Sequence, residues 1–495
     1  MGLVNTSMRT DRAYQDGFTE ELLKQARIIS QLKPHQKRVV DRILKQPGLV
    51  VAHGLGSGKT LSSIAAAEAL GLDTSVVVPA SLQSNYLKEI AKHVEKPRAD
   101  YDISSLQRAA VSGEIPLGDM LIVDEAHRLR TPGTKSQQII KRSPALKKLF
   151  LTGTPLYNNP ADLGNLVNLA AGQKLLPDNL ADFEAGYMDR EEINPGWWAS
   201  NIRGIRPGAK STLVNQEKLK RTLEQWVDYH ENEQTDFPTR KDETIDVPLG
   251  GKQLDLYNAV LGQAPAWVQY KIKQNLPPSR SELKNLNAFL TGGRQISVSP
   301  GGFDESLTPA QAAELSPKIQ TAFQRFKDSL SANPAHKALI YSNFLDAGVA
   351  PYEALLQRDK IPYGRITGQQ TKKERDKLVR EYNDNILRAL LVSSAGGEGL
   401  DLKGTRQIQL LDPHWNKEKL EQVIGRGIRY KSHAALPEDQ RNVNVEQYRS
   451  ILPEPGFIGS MFGSERPGGI DEYLTMLAED KDRVNQQLKS LLRTR

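Results

Sequence analysis

The stretch GLVVAHGLGSGKTLSSIAAAEAL, residues 48–70, decides how this chain is read. GLVVAH is a short, nearly unbroken apolar run of the kind that forms a strand buried on both faces, and LSSIAAAEAL is a helix-compatible run. Between them HGLGSGKT reads as the phosphate-loop pattern G-x-x-x-x-G-K-[ST], in the strand–loop–helix setting that pattern needs. Glycines let backbone N–H groups close around phosphate oxygens, and the helix N-terminus adds its positive dipole end. Gly54, Gly56, Ser57 and Gly58 are the candidate cradle, Lys59 the cation for the β- and γ-phosphates, and Thr60 a ligand for Mg²⁺. MLIVDEAH (120–127) supplies the complement. Its four apolar residues set Asp124 and Glu125 at a strand end, Asp124 to hold Mg²⁺ and Glu125 to orient and deprotonate the attacking water. The pair specifies hydrolysis of a nucleoside triphosphate, with ATP and Mg²⁺ as the expected ligands.

Composition bounds the rest. With 495 residues the chain has room for about three units of roughly 150 residues. Hydrophobic residues at 38% and charged ones at 25% suffice for real cores and exclude a disordered chain. Cysteine is absent, which excludes disulfide scaffolds, zinc fingers, iron–sulfur clusters and a cysteine nucleophile. No run approaches the apolar length of a membrane span, and the start MGLVNTSMRTDR lacks a secretory signal core. A soluble protein of a reducing cytoplasm or nucleus, with no membrane partner, is expected. The net charge of +7 permits a nucleic-acid partner without requiring one.

Outward from the phosphate loop, SVVVPA (75–80), MLIVDEAH and LKKLFLTGTP (146–155) read as further buried strands, and LKPHQKRVVDRIL (32–44) as an amphipathic helix. A second rhythm of the same kind follows in KALIYSNF (337–344), YGRITG (363–368), RALLVSSAGGEGL (388–400) and RQIQLLDP (406–413). The fold class is therefore α/β, with two parallel-sheet lobes and helical insertions. The expected divisions are an ATP-binding lobe at 1–170, a helical insert at 171–245 ending in a linker near Phe237–Pro248, and a second helical insert at 246–330. The second lobe follows at 331–470, then a C-terminal helix at 471–495. Trp197 and Trp198 are expected in the core of the first insert, with stacking on nucleic-acid bases as the alternative. Residues 268–300 carry five basic side chains (Lys271, Lys273, Arg280, Lys284, Arg294) against Glu282, a candidate electrostatic grip or simply a solvated face.

The string DEAH followed by LTGTP (151–155) resembles the helicases and translocases of superfamily two, and the resemblance implies two tandem RecA-like lobes. It also implies that Thr152 and Thr154 couple hydrolysis to lobe movement with His127 as their partner, and that Gln36 in LKPHQ meets adenine. QVIGRGIRY (422–430) is similar to that family's Q-x-x-G-R-x-x-R. Gln422, Arg426 and Arg429 thereby join the catalytic set, the two arginines placed three apart on one helix face as charge stabilisers for the transferring phosphoryl group. In SSAGGEGLDL (393–402), Asp401 matches the position that reaches the ATP ribose. The motif order in the second lobe, with PASLQSNYLKEI (79–90) in the first, resembles Swi/Snf-type DNA translocases. The ending YKSH (430–433) is similar instead to ATPases of large DNA viruses, including early transcription factor subunits and nucleoside triphosphatases. The implied nucleic-acid contacts are Pro79, Ser81 and Asn85 in the first lobe and Ser342, Asn343, Arg365, Thr367 and Ser393 in the second. Three functions are carried forward: an ATP-dependent translocase on double-stranded DNA, a strand-separating DNA helicase, and a nucleotide-gated transcription-associated ATPase without processive movement. DNA is the expected partner, and RNA stays open.

Overall fold

A computed structural model describes residues 19, 21–26, 28–54, 56–153, 160–231, 237–396, 400–413, 417–454 and 466–493. The chain divides into two compact units, one of Met1–Asp189, Thr212–Glu233 and Val484–Arg495, the other of Arg190–Ser211 and Gln234–Arg483. In chain order the strands begin with β1 (Gly48–His53), β2 (Thr74–Val78), β3 (Tyr101–Ser105), β4 (Met120–Val123) and β5 (Lys147–Thr152). A two-stranded ribbon, β6 (Met188–Ile193) and β7 (Gly208–Leu213), precedes β8 (Val227–His230) and β9 (Thr239–Pro248). The second rhythm yields β10 (Ala338–Tyr341), β11 (Tyr363–Ile366), β12 (Ala389–Val392), β13 (Gln407–Leu410) and β14 (Asn442–Ile451).

The first unit is built on a six-stranded sheet in the order β3-β2-β4-β5-β1-β8, every neighbouring pair parallel. Side chains alternate across it. Val50, Leu121, Val123 and Phe150 pack with Leu163 and Leu166 on one face, whereas Leu49, Val51, Ile122 and Leu149 pack with Val39, Ile43 and Ile64 on the other. Covering both faces is what requires β1, β2 and β4 to be buried at every position, and hence their unbroken apolar runs.

The second unit repeats the plan in the order β11-β12-β10-β13-β14-β9, again all parallel. Its outer strands are zipped by a buried polar network. Tyr352 donates to Gln409 (2.8 Å), and Gln409, Gln407 and Tyr448 all donate to Glu446 (3.1, 2.9 and 2.5 Å). Arg325 reaches the other Glu446 oxygen at 3.1 Å. A carboxylate at low dielectric that is satisfied this fully fixes register as well as affinity.

The second insert carries the helices Gly251–Gly262, Ala266–Lys273, Arg280–Val298, Pro309–Glu314 and Pro317–Ala332, whereas the first departs from expectation. Residues 171–245 are not simply helical: helices Leu180–Tyr187, Trp197–Asn201 and Gln216–Trp226 alternate with β6, β7 and β8. The helix through NQEKLKRTLEQW stops at Trp226 because Arg42 donates to the carbonyls of Glu224, Gln225 and Val227 (2.9, 2.7 and 2.7 Å), taking acceptors that helix propagation would use. VDYH then pairs with β1, Val50 facing Val227. The expected linker is mostly β9, paired with β14 over ten residues. Its hydrophobic pattern is weak because it is a sheet edge, and edges carry charge: Arg240 is held by Asp242 and Glu421 (2.7 and 2.6 Å). Trp197 and Trp198 lie outside the core, since their five-residue helix buries only Ala199. In the basic stretch Lys271 is buried against Glu282 at 2.7 Å and Arg294 turns to Asp412 at 3.7 Å, so neither is a solvated grip. Lys273 is exposed, and the side chains of Arg280 and Lys284 lie outside the described residues. The helix Ile470–Arg493 closes the chain, its last turns belonging to the first unit.

Gly48 enters β1 so tightly against the helix Ala161–Ala171 that a Cβ would lie 2.0 Å from the Ala170 carbonyl oxygen. Gly48→Ala should therefore cost about 1–3 kcal/mol of stability through forced backbone movement. Denaturant unfolding that leaves the midpoint unchanged would contradict this packing.

Candidate active site

In parallel sheets the polar turns gather at the carboxyl ends of the strands. β1 runs into the phosphate loop, β4 into Asp124–Glu125, β5 ends on Thr152 and β2 delivers Pro79. Thr152 is fully buried and pairs with Ala52, one residue before the loop. Thr154 lies outside the described residues, as does the Ser81 side chain, while Asn85 is exposed on the helix Gln83–His93.

The loop turns on Gly56 and Gly58, both at φ 78°, and a Cβ on Gly58 would meet Gln36 Nε2 at 2.4 Å. Counting back from Lys59, the first glycine of G-x-x-x-x-G-K-[ST] falls on His53, so the match read from sequence is incomplete there. The histidine is used. His53 Nε2 hydrogen-bonds Asp228 Oδ1 at 2.6 Å, and its ring lies edge-on to His35 (5.4 Å) and His230 (5.5 Å), which stack on each other at 3.8 Å. Asp228 also accepts from Arg38 (2.8 Å, twice) and Arg42 (3.2 Å). From this base His35 Nε2 donates to Ser57 O (2.9 Å), and the His230 carbonyl accepts from Gly54 N (2.9 Å). Gln36 Nε2 also donates to Ser57 O (3.1 Å) while its oxygen accepts from Lys33 N (2.9 Å), so both ends of the amide expected to meet adenine hold the loop and its flanking helix. Lys59 Nζ donates to the carbonyls of His53 (2.9 Å) and Gly54 (3.2 Å). This base is invisible to local sequence patterns, because Asp228 and His230 lie some 175 residues from His53.

At the β4 end Asp124 accepts from Glu125 N (2.9 Å), and Glu125 is held at φ 50°, a left-handed conformation that side chains other than glycine rarely adopt. Such strain persists where the surroundings dictate it, commonly at functional sites. Glu125 Oε2 lies 3.2 Å from His127 Nδ1. Burial, then the neighbouring Glu125, pushes Asp124 up to about 6, opposed by the Lys59 ammonium. A recessed carboxylate with the Thr60 hydroxyl at the loop's helix suits Mg²⁺, which takes few protein oxygens and completes its shell with phosphates and water. The arrangement is that of a P-loop nucleoside triphosphatase.

In the second unit Ser342, Thr367 and Ser393 follow directly on β10, β11 and β12, so three of the expected nucleic-acid contacts converge on one sheet edge. All three are buried, and Thr367 Oγ1 has no hydrogen-bond partner among the described residues. Asn343 is held by Asp412, which accepts from its side chain and its N–H (2.9 Å), while its oxygen accepts from Lys419 (3.2 Å). Arg365 pairs with Glu353 (2.9 Å). The helix bearing Gln422 and Arg426 spans Lys417–Gly427, so Arg429 lies beyond its end rather than on a shared face. It stops where Gly427 passes close to Ile408 and Thr405, and Ser432 then caps Arg429 N at 3.1 Å. Arg429 meets Asp401 at 3.5 Å, joining two residues singled out from separate motifs.

The SNF2-related domain family matches residues 100–301, and the helicase conserved C-terminal domain matches residues 321–431. An Acanthamoeba polyphaga mimivirus protein, provisionally named an ATP-dependent RNA helicase, is 30% identical over 91% of this chain and 94% of its own length. A termination factor NPH-I homolog of African swine fever virus is 25% identical over 90% of this chain and 75% of its own length. The DNA repair and recombination protein RAD54 of Oryza sativa subsp. japonica is 24% identical over 93% of this chain and 56% of its own length. The chain belongs to the SNF2-related family of superfamily-two, nucleic-acid-dependent ATPases. No helix among the described residues is long and apolar enough to cross a membrane.

Burial, then the neighbouring imidazoles, holds His230 down to about 4, and burial likewise lowers His35 and His53. Unfolded histidines bind protons near pH 6.5, so between there and pH 4 the unfolded chain carries the extra protons. The stack's contribution to stability is thus complete above pH 6.5 and lost as pH falls toward 4. His230→Gln should give a shallower stability–pH slope across that window, and an unchanged slope would refute a neutral stack.

Proposed function

We infer that the chain is a motor that spends ATP to move along double-stranded DNA. What carries this reading is the joining of the phosphate loop and the Asp124–Glu125 turn to an SNF2-related sequence with a DNA-repair relative. In this reading Lys59 and the loop amides bind the triphosphate, and Glu125, with His127 beside it, takes the proton of the attacking water. Mg²⁺ held by Thr60 and Asp124 would neutralise charge on the β- and γ-oxygens. Arg426 and Arg429 are the charge-stabilising groups, supported by Gln422, and Asp401 orients Arg429 or the ribose. Thr152 passes the hydrolysis signal along the carboxyl edge. Ser342, Asn343, Arg365, Thr367 and Ser393 meet phosphate oxygens, which position a protein without reading sequence. A strand-separating helicase is the second reading, favoured by the name of the mimivirus relative.

Purified protein assayed with duplex DNA, single-stranded DNA and RNA should show its greatest ATPase stimulation with duplex DNA. It should displace a triplex strand and leave a fork intact. Unwinding of the fork instead selects the helicase, and turnover indifferent to every nucleic acid defeats both. Lys59→Ala should weaken ATP binding about 10- to 100-fold by removing a charge-assisted contact. Arg429→Ala should leave ATP affinity nearly intact and lower kcat by about a thousandfold, the signature of a group acting only on the transition state. Equal losses of binding and turnover would mark Arg429 as structural.

A further inference from the structure

Trp197, Trp198 and Ile202 are 73, 54 and 62% exposed, three large apolar side chains within six residues of the second unit. The segment that carries them is fastened down. Ala199 and Ile205 are buried with Leu276, against which Trp267 and Tyr270 pack, and Tyr270 OH donates to the Pro195 carbonyl at 3.0 Å. Ile205 N donates to Ala199 O and Asn201 Nδ2 to Trp197 O (3.0 and 2.9 Å), so the turn behind the indoles is closed by its own hydrogen bonds. A rigid mount holding two indoles in water is an unusual use of residues that normally bring large apolar areas into cores and interfaces.

The charge along this part of the chain is one-sided. From Asn194 to Ser211 the charged residues are Arg203, Arg206 and Lys210, all exposed. The acids of this excursion, Asp189, Glu191 and Glu192, lie on β6, which pairs with β7 and so runs beside Lys210, leaving Arg203 and Arg206 as the cations nearest the indoles in sequence. The Arg203 guanidinium lies 4.3 Å over the Trp198 ring. Flat π-faces bordered by cations are complementary to a polymer with flat rings and anionic links. A paired duplex hides its ring faces in the stack, so only an unpaired strand can use both features.

We propose that Trp197 and Trp198, with Arg203 over the Trp198 ring and Arg206 close behind it in the chain, form a stacking platform for an unpaired nucleic-acid strand. The platform rests on the reading of the chain as a nucleic-acid motor and adds a second contact, to exposed bases rather than duplex phosphates. None of its residues belongs to the ATPase machinery.

The test titrates full-length protein with oligothymidylate and oligouridylate of about 20 nucleotides, following tryptophan fluorescence and anisotropy of a labelled strand. Strand binding should quench the wild-type fluorescence. Trp197→Leu with Trp198→Leu keeps apolar area but removes the rings, and should weaken strand affinity by roughly 5- to 150-fold per stacked base. Trp197→Phe with Trp198→Phe should restore most of it. Duplex-stimulated ATPase should be the same in all three proteins. A response to either oligomer that follows ring content supports the platform. Equal affinity in the wild-type and leucine proteins, equal loss in the leucine and phenylalanine proteins, or no strand binding by wild type overturns it and leaves the patch to a protein partner. Absence of duplex stimulation in wild type would defeat the motor reading separately, without touching the fluorescence result.

Discussion

One buried carboxylate underlies the nucleotide loop. Asp228 has no exposed side-chain surface, yet it stays ionised, because hydrogen bonds from His53 and Arg38 outweigh the burial that works against its charge. Removing one partner of such a group typically costs about 3–5 kcal/mol, since the remaining charge is left in a poor solvent. The arrangement ties three chain segments together: the helix Pro34–Lys45, the last residue of β1, and the edge strand β8. Each of them then touches the glycine loop through His35, His53 or His230. Glycine freedom lets the loop wrap a phosphate chain, and this rigid floor is what limits the freedom to one shape.

The floor also explains why a histidine can stand at the pattern's first position. A glycine there would serve only loop conformation. His53 has its backbone in β1 and its ring in the stack, so the strand's end and the loop's floor are one residue. The cost is a set of imidazoles that must stay neutral in a tight group, beside Arg38 and Lys59, which the low proton affinity of His230 reflects.

The second unit solves the same problem with amides and carboxylates. Asp412 grips Asn343 two residues past β10, as Asp228 grips His53 at the end of β1, and Glu446 fastens β13 to β14 deeper in the sheet. Both sheets therefore present polar turns on a carboxyl edge whose geometry is set by a buried acid. An ATPase whose chemistry depends on placing a water, a carboxylate and cations within a few tenths of an ångström needs edges of this stiffness.

Local sequence determined the parts that depend on local physics. Apolar runs covered on both faces gave β1, β2, β4, β5, β10 and β12, polar or glycine turns marked the ends of β11 and β13, and the glycine loop and the Asp124–Glu125 turn were legible because each sits directly past its strand. The edge strands β3, β8 and β9, and β14 beside β9, were not legible. Half-exposed edges carry charge instead of apolar alternation, and the helix before β8 ends through Arg42, a residue distant in sequence. Tertiary structure alone decided that Gln36 secures the loop, that Arg429 falls past the end of its helix beside Asp401, and that the paired tryptophans face water. Each of these depends on which surfaces remain after two sheets have been covered, and spacing along a chain carries no record of that.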